Sequence, residues 1–348
     1  MIKRYGKVSG PLLALKQDFF VNNKSYLRKS IGINKVYAAQ EERKCCKNCE
    51  YLLSNKIGFT KQGVRYIVCD QCGHLNGANE DTNEFCSALY TDDGGESYAR
   101  NYTSEDKNSY KQRVNDIYAP KAKFLLDSLR EVGESICDLK VVDLGAGSGY
   151  FVNALTQLGV NKPRGFEVSD VQVALGNMMM DDELLTVCPL QKTTEIAKTV
   201  NADVVTMIGV LEHLQKPRDI LYALRNNKSV KYLYISVPLF RPTVFFEMVF
   251  PEVMQRQLSE GHTHLYTESS LNWMADEFSM NKIAAWWFGT DMVDLYRDIL
   301  VQLNEKPETS DMTTIWSNFF TPVIDAMQLE MDKKHLSSEV HMLFKFES

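Results

Sequence analysis

The sequence predicts an α/β protein, a doubly wound, seven-stranded, mostly parallel sheet with a small zinc ribbon in front of it. Three observations carry that expectation. Beyond residue 135, short apolar runs alternate with helical ones, the pattern of a parallel sheet covered on both faces. The run VVDLGAGSGYF, residues 141–151, carries an apolar strand into a glycine-rich turn before a helix. Two C-x2-C pairs, Cys46/Cys49 and Cys69/Cys72, stand near the N-terminus with nineteen residues between them.

Length and composition bound what such a chain can be. A chain of 348 residues suits one large core plus a smaller module. With 44% hydrophobic and 24% charged residues it matches an ordinary folded protein and neither a disordered nor a fibrous one. A net charge of -6 without a long Lys/Arg run argues against neutralising many backbone phosphates, so nucleic acid is a secondary hypothesis. The start, MIKRYGKVSGPLLALKQDFF, lacks a continuous apolar region and a cleavage site, which points to a cytoplasmic protein. No run approaches the ~20 apolar residues of a membrane-spanning helix. The nearest, VPLFRPTVFFEMVFP, is broken by Arg241, Glu247 and three prolines and reads as an apolar lid or docking surface.

Residues 1–40 are weakly patterned, with a short helix near Leu12 to Phe20 and no assignable task. Residues 41–80 form the cysteine module. Five of eight cysteines (Cys45, Cys46, Cys49, Cys69, Cys72) fall within 28 positions, and such clustering without a signal peptide points to metal rather than disulfides. The spacing of Cys46, Cys49, Cys69 and Cys72 is that of a four-cysteine structural Zn2+ site, closed and without an open position for catalysis. GFTKQGVRYIV between the pairs reads as a hairpin turning at Lys61 to Gly63. Cys45 could replace Cys46 as a ligand; His74 is too close to Cys72 to displace it.

Residues 81–135 comprise a Gly- and Asp-rich linker or lid and a leading helix. In the latter, Val114, Ile117, Tyr118, Ala122, Leu125, Leu126 and Leu129 recur at helical spacing, and Pro120 sets a break or a start. Residues 136–348 hold the main domain. Strands are expected at Leu139–Leu144, Pro163–Glu167, Leu184–Val187, Asp203–Ile208, Tyr232–Val237, Ala284–Trp287 and Glu339–Phe346. Helices fall near Tyr150–Gln157, Val171–Met178, Lys216–Asn226, Thr267–Phe278 and Asp291–Leu303.

The glycine loop has a chemical reading. Gly145, Gly147 and Gly149 permit a tight turn and let a ligand approach the backbone, and the helix behind them offers free N–H groups. A dinucleotide fingerprint would read G-x-G-x-x-G; here the spacing is G-x-G-x-G after Asp143, which disfavours an NAD-dependent oxidoreductase. The next strand, RGFEVSD, ends in Glu167, where a carboxylate can accept hydrogen bonds from two ribose hydroxyls. NADVVTMIGVLEHL leaves the sheet at Met207 to Gly209 and continues into Glu212 and His213. YLYISVPL supplies a fifth strand with a terminal proline.

In this order these motifs resemble class I S-adenosylmethionine-dependent methyltransferases over roughly residues 138–290. The resemblance implies that Asp143, Gly145, Ala146, Gly147 and Gly149 hold the methionine moiety of S-adenosylmethionine and that Glu167 binds its ribose. It also implies that Met207, Gly209 and the VLEH ending lie beside the methyl donor. The ribbon, connector and core together are similar in layout to sugar C-methyltransferases that act on nucleotide-linked deoxysugars. Those carry a second large C-terminal domain, whereas 58 residues follow residue 290 here, which opens O- or N-methylation. The implied acceptor is a small molecule or a nucleotide-sugar or glycan, in surface polysaccharide biosynthesis or secondary metabolism.

Methyl transfer from a sulfonium is an in-line displacement, so the enzyme mainly positions the acceptor and excludes water, and a hydroxyl acceptor needs a base. Histidine suits that task. Of six histidines, His213, His262 and His264 fall where ligands of open α/β sheets gather, and His213 and His264 are the candidate bases. GHTHLYT resembles a segment after the fifth strand of methyltransferases acting on sugars, whose histidine approaches the acceptor. The plainer alternatives are that His213 packs its own helix and that Thr267 is an N-cap, with Leu271 and Met274 buried behind it. Tyr98, with Tyr102 and Tyr110, could reach substrate from a lid, or anchor that lid by packing. Phe245, Phe246 and Phe250 cover the pocket or pack the core. A zinc ribbon that binds nucleic acid or protein beside a degenerate core is the alternative function; intact Asp143, glycines and Glu167 speak against it.

Overall fold

The computed structural model describes residues 1–15, 20–54, 56–90, 106–254, 256–258 and 261–347. Its strands are β1 (Ile2–Tyr5), β2 (Gly58–Lys61), β3 (Val64–Val68), β4 (Leu75–Gly77), β5 (Val141–Leu144), β6 (Arg164–Glu167), β7 (Leu185–Val187), β8 (Val204–Ile208), β9 (Tyr232–Pro238), β10 (His264–Leu265), β11 (Met280–Phe288) and β12 (Glu339–Phe346). The large sheet runs β1-β11-β12-β9-β8-β5-β6-β7. Strands β9, β8, β5, β6 and β7 are mutually parallel, and β12 lies antiparallel between β9 and β11.

The apolar runs that predicted these strands are continuous because both faces are covered. Every residue of β9 is buried. Alternate side chains go to opposite cores: Leu233, Ile235 and Val237 pack with Ile220, Leu271 and Met274, while Tyr232 and Tyr234 pack with Phe124, Leu125 and Phe151. Helices 193–199, 217–226 and 268–277 thus cover one face, and helices 119–131 and 150–157 the other.

The sheet has eight strands rather than the expected seven. The extra strand, β1, pairs parallel with β11 at the edge, and its sequence IKRY has no apolar run to announce it. It is held through its side chains: the Arg4 guanidinium lies 4.0 Å over the Trp286 ring, and Trp286 Nε1 donates to the Gly6 carbonyl at 2.9 Å. Two charged residues on an outer strand also discourage further pairing.

A first helix spans Gly10–Leu15, the rest of the one expected near Leu12 to Phe20 falling largely outside the described residues, and a second, unexpected one spans Asn23–Ala38. Its buried face carries Asn23, Ser30, Asn34 and Tyr37, so no apolar stripe marks it in the sequence. The expected leading helix is divided into Lys107–Arg113, a π-turn at Val114–Tyr118 and Ala119–Glu131. Pro120 stands at the start of the last piece, where its missing N–H costs nothing.

The ribbon hairpin turns where expected. Lys61 faces Val64 across β2 and β3, and Gln62 and Gly63 both have left-handed backbones, φ 47° and 82°, as a two-residue type I′ turn requires. The small sheet runs β10-β4-β3-β2. Its outer strand β10 comes from the segment after β9, so the two lobes share a sheet. Among the described residues no helix is long and apolar enough to cross a membrane.

Candidate functional site

From β5 the chain moves outward through β6 and β7 and returns to β8 on the other side of β5. Such a reversal leaves a crevice at the carboxyl ends of the strands. A cavity of ≈ 390 Å³ lies there, walled by Asp143, the 145–148 loop, Glu167, Gly209, Glu212, His213, Ser236 and His262.

On one side is the glycine turn. Gly145 has φ +73°, and a Cβ on it would stand 2.6 Å from Val210 Cγ2, so both conformation and space require glycine. Glu167 closes the turn from the tip of β6: Oε2 accepts the Gly147 N–H at 2.8 Å, and Oε1 accepts those of Val168 at 2.8 Å and Ser169 at 3.1 Å. Three amide donors thus fix a carboxylate at the mouth of the loop. Ala146, Gly147 and Gly209 also wall the cavity. Gly149 instead seats the helix, since a Cβ there would meet Leu185 and Met180 at 2.9 Å. Met207 is fully buried in the sheet core.

Asp143 is 2% exposed and accepts from Thr206 Oγ1 at 2.5 Å. Burial, reinforced by the charge of Glu167, pushes its carboxyl up to about 7. The native state therefore keeps this proton between pH ~4, where the unfolded chain releases it, and about 7. More protons bound to the native state mean that stability falls as pH rises through this window. Relative to Asp143→Asn, the ligand-free wild type is expected to lose unfolding free energy between pH 4 and 7 and level off above. Urea unfolding of both proteins across that range checks this; a constant difference would show that Asp143 is ionised throughout.

The other side of the cavity is polar. Glu212 is 2% exposed, and burial pushes its carboxyl up to about 8. Burial also holds His213 well below the usual imidazole range and His262 at about 4, so both rings are neutral near pH 7, with centroids 4.7 Å apart. Burial alone would raise Glu339, but Lys121 at 3.5 Å and His341 at 3.4 Å outweigh it and hold the carboxyl well below its usual range. Sequence reasoning assigned no role to Glu212, Lys121, Ser236, Arg256 or Glu339. Only Glu212 carried a signal, the VLEH ending. Glu339 becomes visible when the register pairs it with Pro238.

The structure separates the two candidate bases. His213 walls the cavity, whereas His264 sits in β10 opposite Asn76, fully buried, with Nδ1 2.8 Å from Nε2 of His74. Membership of the small sheet turns His264 away from the crevice, and His262, two residues earlier, faces it instead. Tyr98 and Tyr102 lie outside the described residues. Tyr110 is buried and donates to the Ser148 carbonyl at 2.9 Å, anchoring the loop. Thr267 caps helix Glu268–Glu277 in a capping box with Ser270. Phe245, Phe246 and Phe250 are absent from the cavity walls.

The four module cysteines converge. Cys46 and Cys72 sulfurs are 3.7 Å apart, Cys49 and Cys69 sulfurs 3.5 Å, and all four residues are buried. A tetrahedron with 2.3 Å metal–sulfur bonds has edges of about 3.8 Å, whereas a disulfide would bring sulfurs to about 2.05 Å. The donor set therefore fits a tetrahedral metal ion. The residue after each pair, Glu50 and Gly73, is left-handed, so both knuckles turn alike. Cys45 is exposed. The knuckle is fastened to the crevice: Lys47 Nζ donates to the Leu214 carbonyl at 2.7 Å, and Arg218 Nη1 to that of Asn48 at 2.9 Å.

A family model described as a methyltransferase domain matches residues 105–284, just over half of the chain. Among solved structures, the chain is similar to magnesium protoporphyrin IX methyltransferase from Synechocystis PCC 6803 with bound S-adenosylhomocysteine, at 11% identity and TM-score 0.48, covering 76% of this chain and 100% of that one. It is also similar to geranyl diphosphate C-methyltransferase from Streptomyces coelicolor A3(2), at 13% identity and TM-score 0.41, covering 70% and 86%. A third similar structure is an S-adenosylmethionine-dependent methyltransferase from Geobacter sulfurreducens, at 13% identity and TM-score 0.40, covering 66% and 91%. No curated relative matches the sequence.

Proposed function

The chain belongs to the methyltransferase-domain family as a class I S-adenosylmethionine-dependent methyltransferase, and on that premise we propose that it methylates a small-molecule or sugar-type acceptor held against His213 and His262. The observation that carries this reading is the carboxylate of Glu167 at 2.8 Å from the Gly147 amide, in the same cavity as those two imidazoles.

The residues fit the cofactor. The 145–147 backbone with Asp143 would take the methionine moiety, and Glu167 would take the ribose hydroxyls, one on the lone pair its three amides leave free and the second in exchange for an amide. Leu190 and Ile196 give the wall beyond Glu167 an apolar surface for a base. When bound, the cofactor supplies an electrophilic methyl group on a positively charged sulfur. At the glycine loop the wall presents the Glu167 carboxylate, which favours a cation.

The acceptor side supports a hydroxyl-rich ligand. Ser236, Lys121 and Glu339 provide donors and acceptors, and His213 and His262 provide neutral imidazoles suited to orient an acceptor oxygen. His264 drops out of this role because its ring is committed to His74. In this reading Cys46, Cys49, Cys69 and Cys72 hold one structural Zn2+, a thiolate set suited to a reducing, cytoplasmic compartment.

Calorimetric titration with S-adenosylmethionine, followed by mass measurement of one added methyl across nucleotide-sugars and glycans, tests the proposal. His213→Ala is expected to lower turnover by about 10²-fold or more with cofactor affinity nearly unchanged. Absence of cofactor binding would end the reading.

A further inference from the structure

The geometry points to a divalent-metal site formed by Glu212, His213 and His262, open to the cavity and built to receive hydroxyl oxygens of the acceptor. It deepens the reading above and rests on it for the identity of the reaction.

One ligand atom from each of the three residues lies within 4.8 Å of the others. Three atoms bound at about 2.1 Å to one ion stand about 3.0–3.6 Å from one another, so movement of each side chain by about 1 Å closes the set. Glu212 and His213 stand in the single turn Leu211–His213 at the exit of β8, and His262 comes from the segment after β9.

The hydrogen bonds prepare the rings as ligands. His262 Nδ1 lies 2.8 Å from the Gln257 carbonyl, so that nitrogen carries the proton and Nε2 keeps its lone pair. His213 likewise hydrogen-bonds the Gly261 backbone through its ring. Metal-bound histidines are fixed in this way, one nitrogen donating to a carbonyl and the other facing the ion.

Glu212 supplies the independent observation. It is 2% exposed, and its Oε2 has no hydrogen-bond partner among the described residues. A buried carboxyl oxygen without a partner is costly; a cation between it and the two imidazoles would supply one.

The donor set distinguishes this site from the cysteine cluster. Two imidazoles and a carboxylate suit Mn2+, Fe2+, Co2+ or Zn2+, and three protein ligands leave coordination positions open. Those positions face the cavity that also holds Gly209 and the glycine loop. A hydroxyl bound to a divalent ion loses its proton to solvent far more readily than a free one. The site therefore selects acceptors whose reacting atom is oxygen, above all those with two adjacent oxygens such as a sugar diol, and disfavours C-methylation.

Mn2+ tests this directly because it avoids thiolate sites. Protein treated with EDTA under conditions that retain its zinc is titrated with Mn2+, and the loss of the free-ion paramagnetic resonance signal is read. About one Mn2+ per wild-type chain is expected, with uptake weakened about tenfold or more in Glu212→Gln and in His262→Ala. Zinc content and melting temperature verify that each variant is folded. No uptake by the wild type, or equal uptake by both variants, overturns the site. S-adenosylmethionine binding in EDTA is measured in parallel: if it persists while Mn2+ uptake is absent, the metal site fails alone, and if it is absent, the methyltransferase reading fails whatever Mn2+ does.

Discussion

Glu167→Ala is expected to weaken S-adenosylmethionine binding by roughly 10²- to 10³-fold. A carboxylate accepting from two ribose hydroxyls makes two charge-assisted hydrogen bonds, each worth about 1.5–3 kcal/mol, and the lower half of their sum already gives two decades. A further loss comes from the loop. Glu167 is the acceptor for the amides of Gly147, Val168 and Ser169, so alanine leaves three donors without their partner and frees the turn proposed to hold the methionine end. Glu167→Gln keeps one carbonyl oxygen but turns an NH2 group toward an amide that had an acceptor, and a loss of about 10-fold follows. Calorimetry with S-adenosylhomocysteine orders the three proteins; equal affinity in wild type and alanine variant would place the nucleoside elsewhere.

That prediction was accessible from the sequence because its chemistry is local. Asp143, the three glycines and Glu167 fall within 25 positions, and a strand, a turn and a helix N-terminus leave the chain one way to bring them together. The histidines were harder for a definite reason. His262 and His264 stand two apart in an extended segment, so on a strand they share a face and nothing in GHTHLYT separates them. Pairing of His264 with Asn76 of the ribbon decides the matter, and that partner is almost two hundred residues away. Glu212 was visible in VLEH, yet its proximity to His262 depends on two loops leaving different strands. The edge strand Ile2–Tyr5 and the helix Asn23–Ala38 were illegible for another cause. Arg4 docks on Trp286 as a cation, and Asn23, Ser30 and Asn34 form a buried polar face, so neither element shows the apolar periodicity on which sequence reading relies.

Cys69→Ser is expected to remove the ribbon's metal, lowering the zinc content by one per chain in elemental analysis. The effect on stability follows from scale. Structural zinc contributes on the order of 10–16 kcal/mol in small metal-folded peptides, comparable to the whole stability of a domain at about 5–15 kcal/mol. The knuckles have few substitutes: Cys46, Cys49, Cys69 and Cys72 themselves form a buried cluster with Leu53 and Trp273 at its margin, apart from the apolar core behind β3 and β4. The damage should spread unevenly. Lys47 reaches the Leu214 carbonyl, Asn48 Nδ2 donates to the Ser270 carbonyl at 3.1 Å, and β4 pairs with β10 just after His262, so the acceptor side of the cavity depends on the knuckle. Glu167 and the glycine loop hang on β5 and β6, with no strand shared with the ribbon. Melting should therefore drop by about 10 °C or more and methyl transfer should collapse, while calorimetry still finds S-adenosylhomocysteine bound within a few-fold of wild type. Equal loss of cofactor affinity would mean that the two lobes fold as one unit, and an undiminished zinc content would place the metal on other ligands.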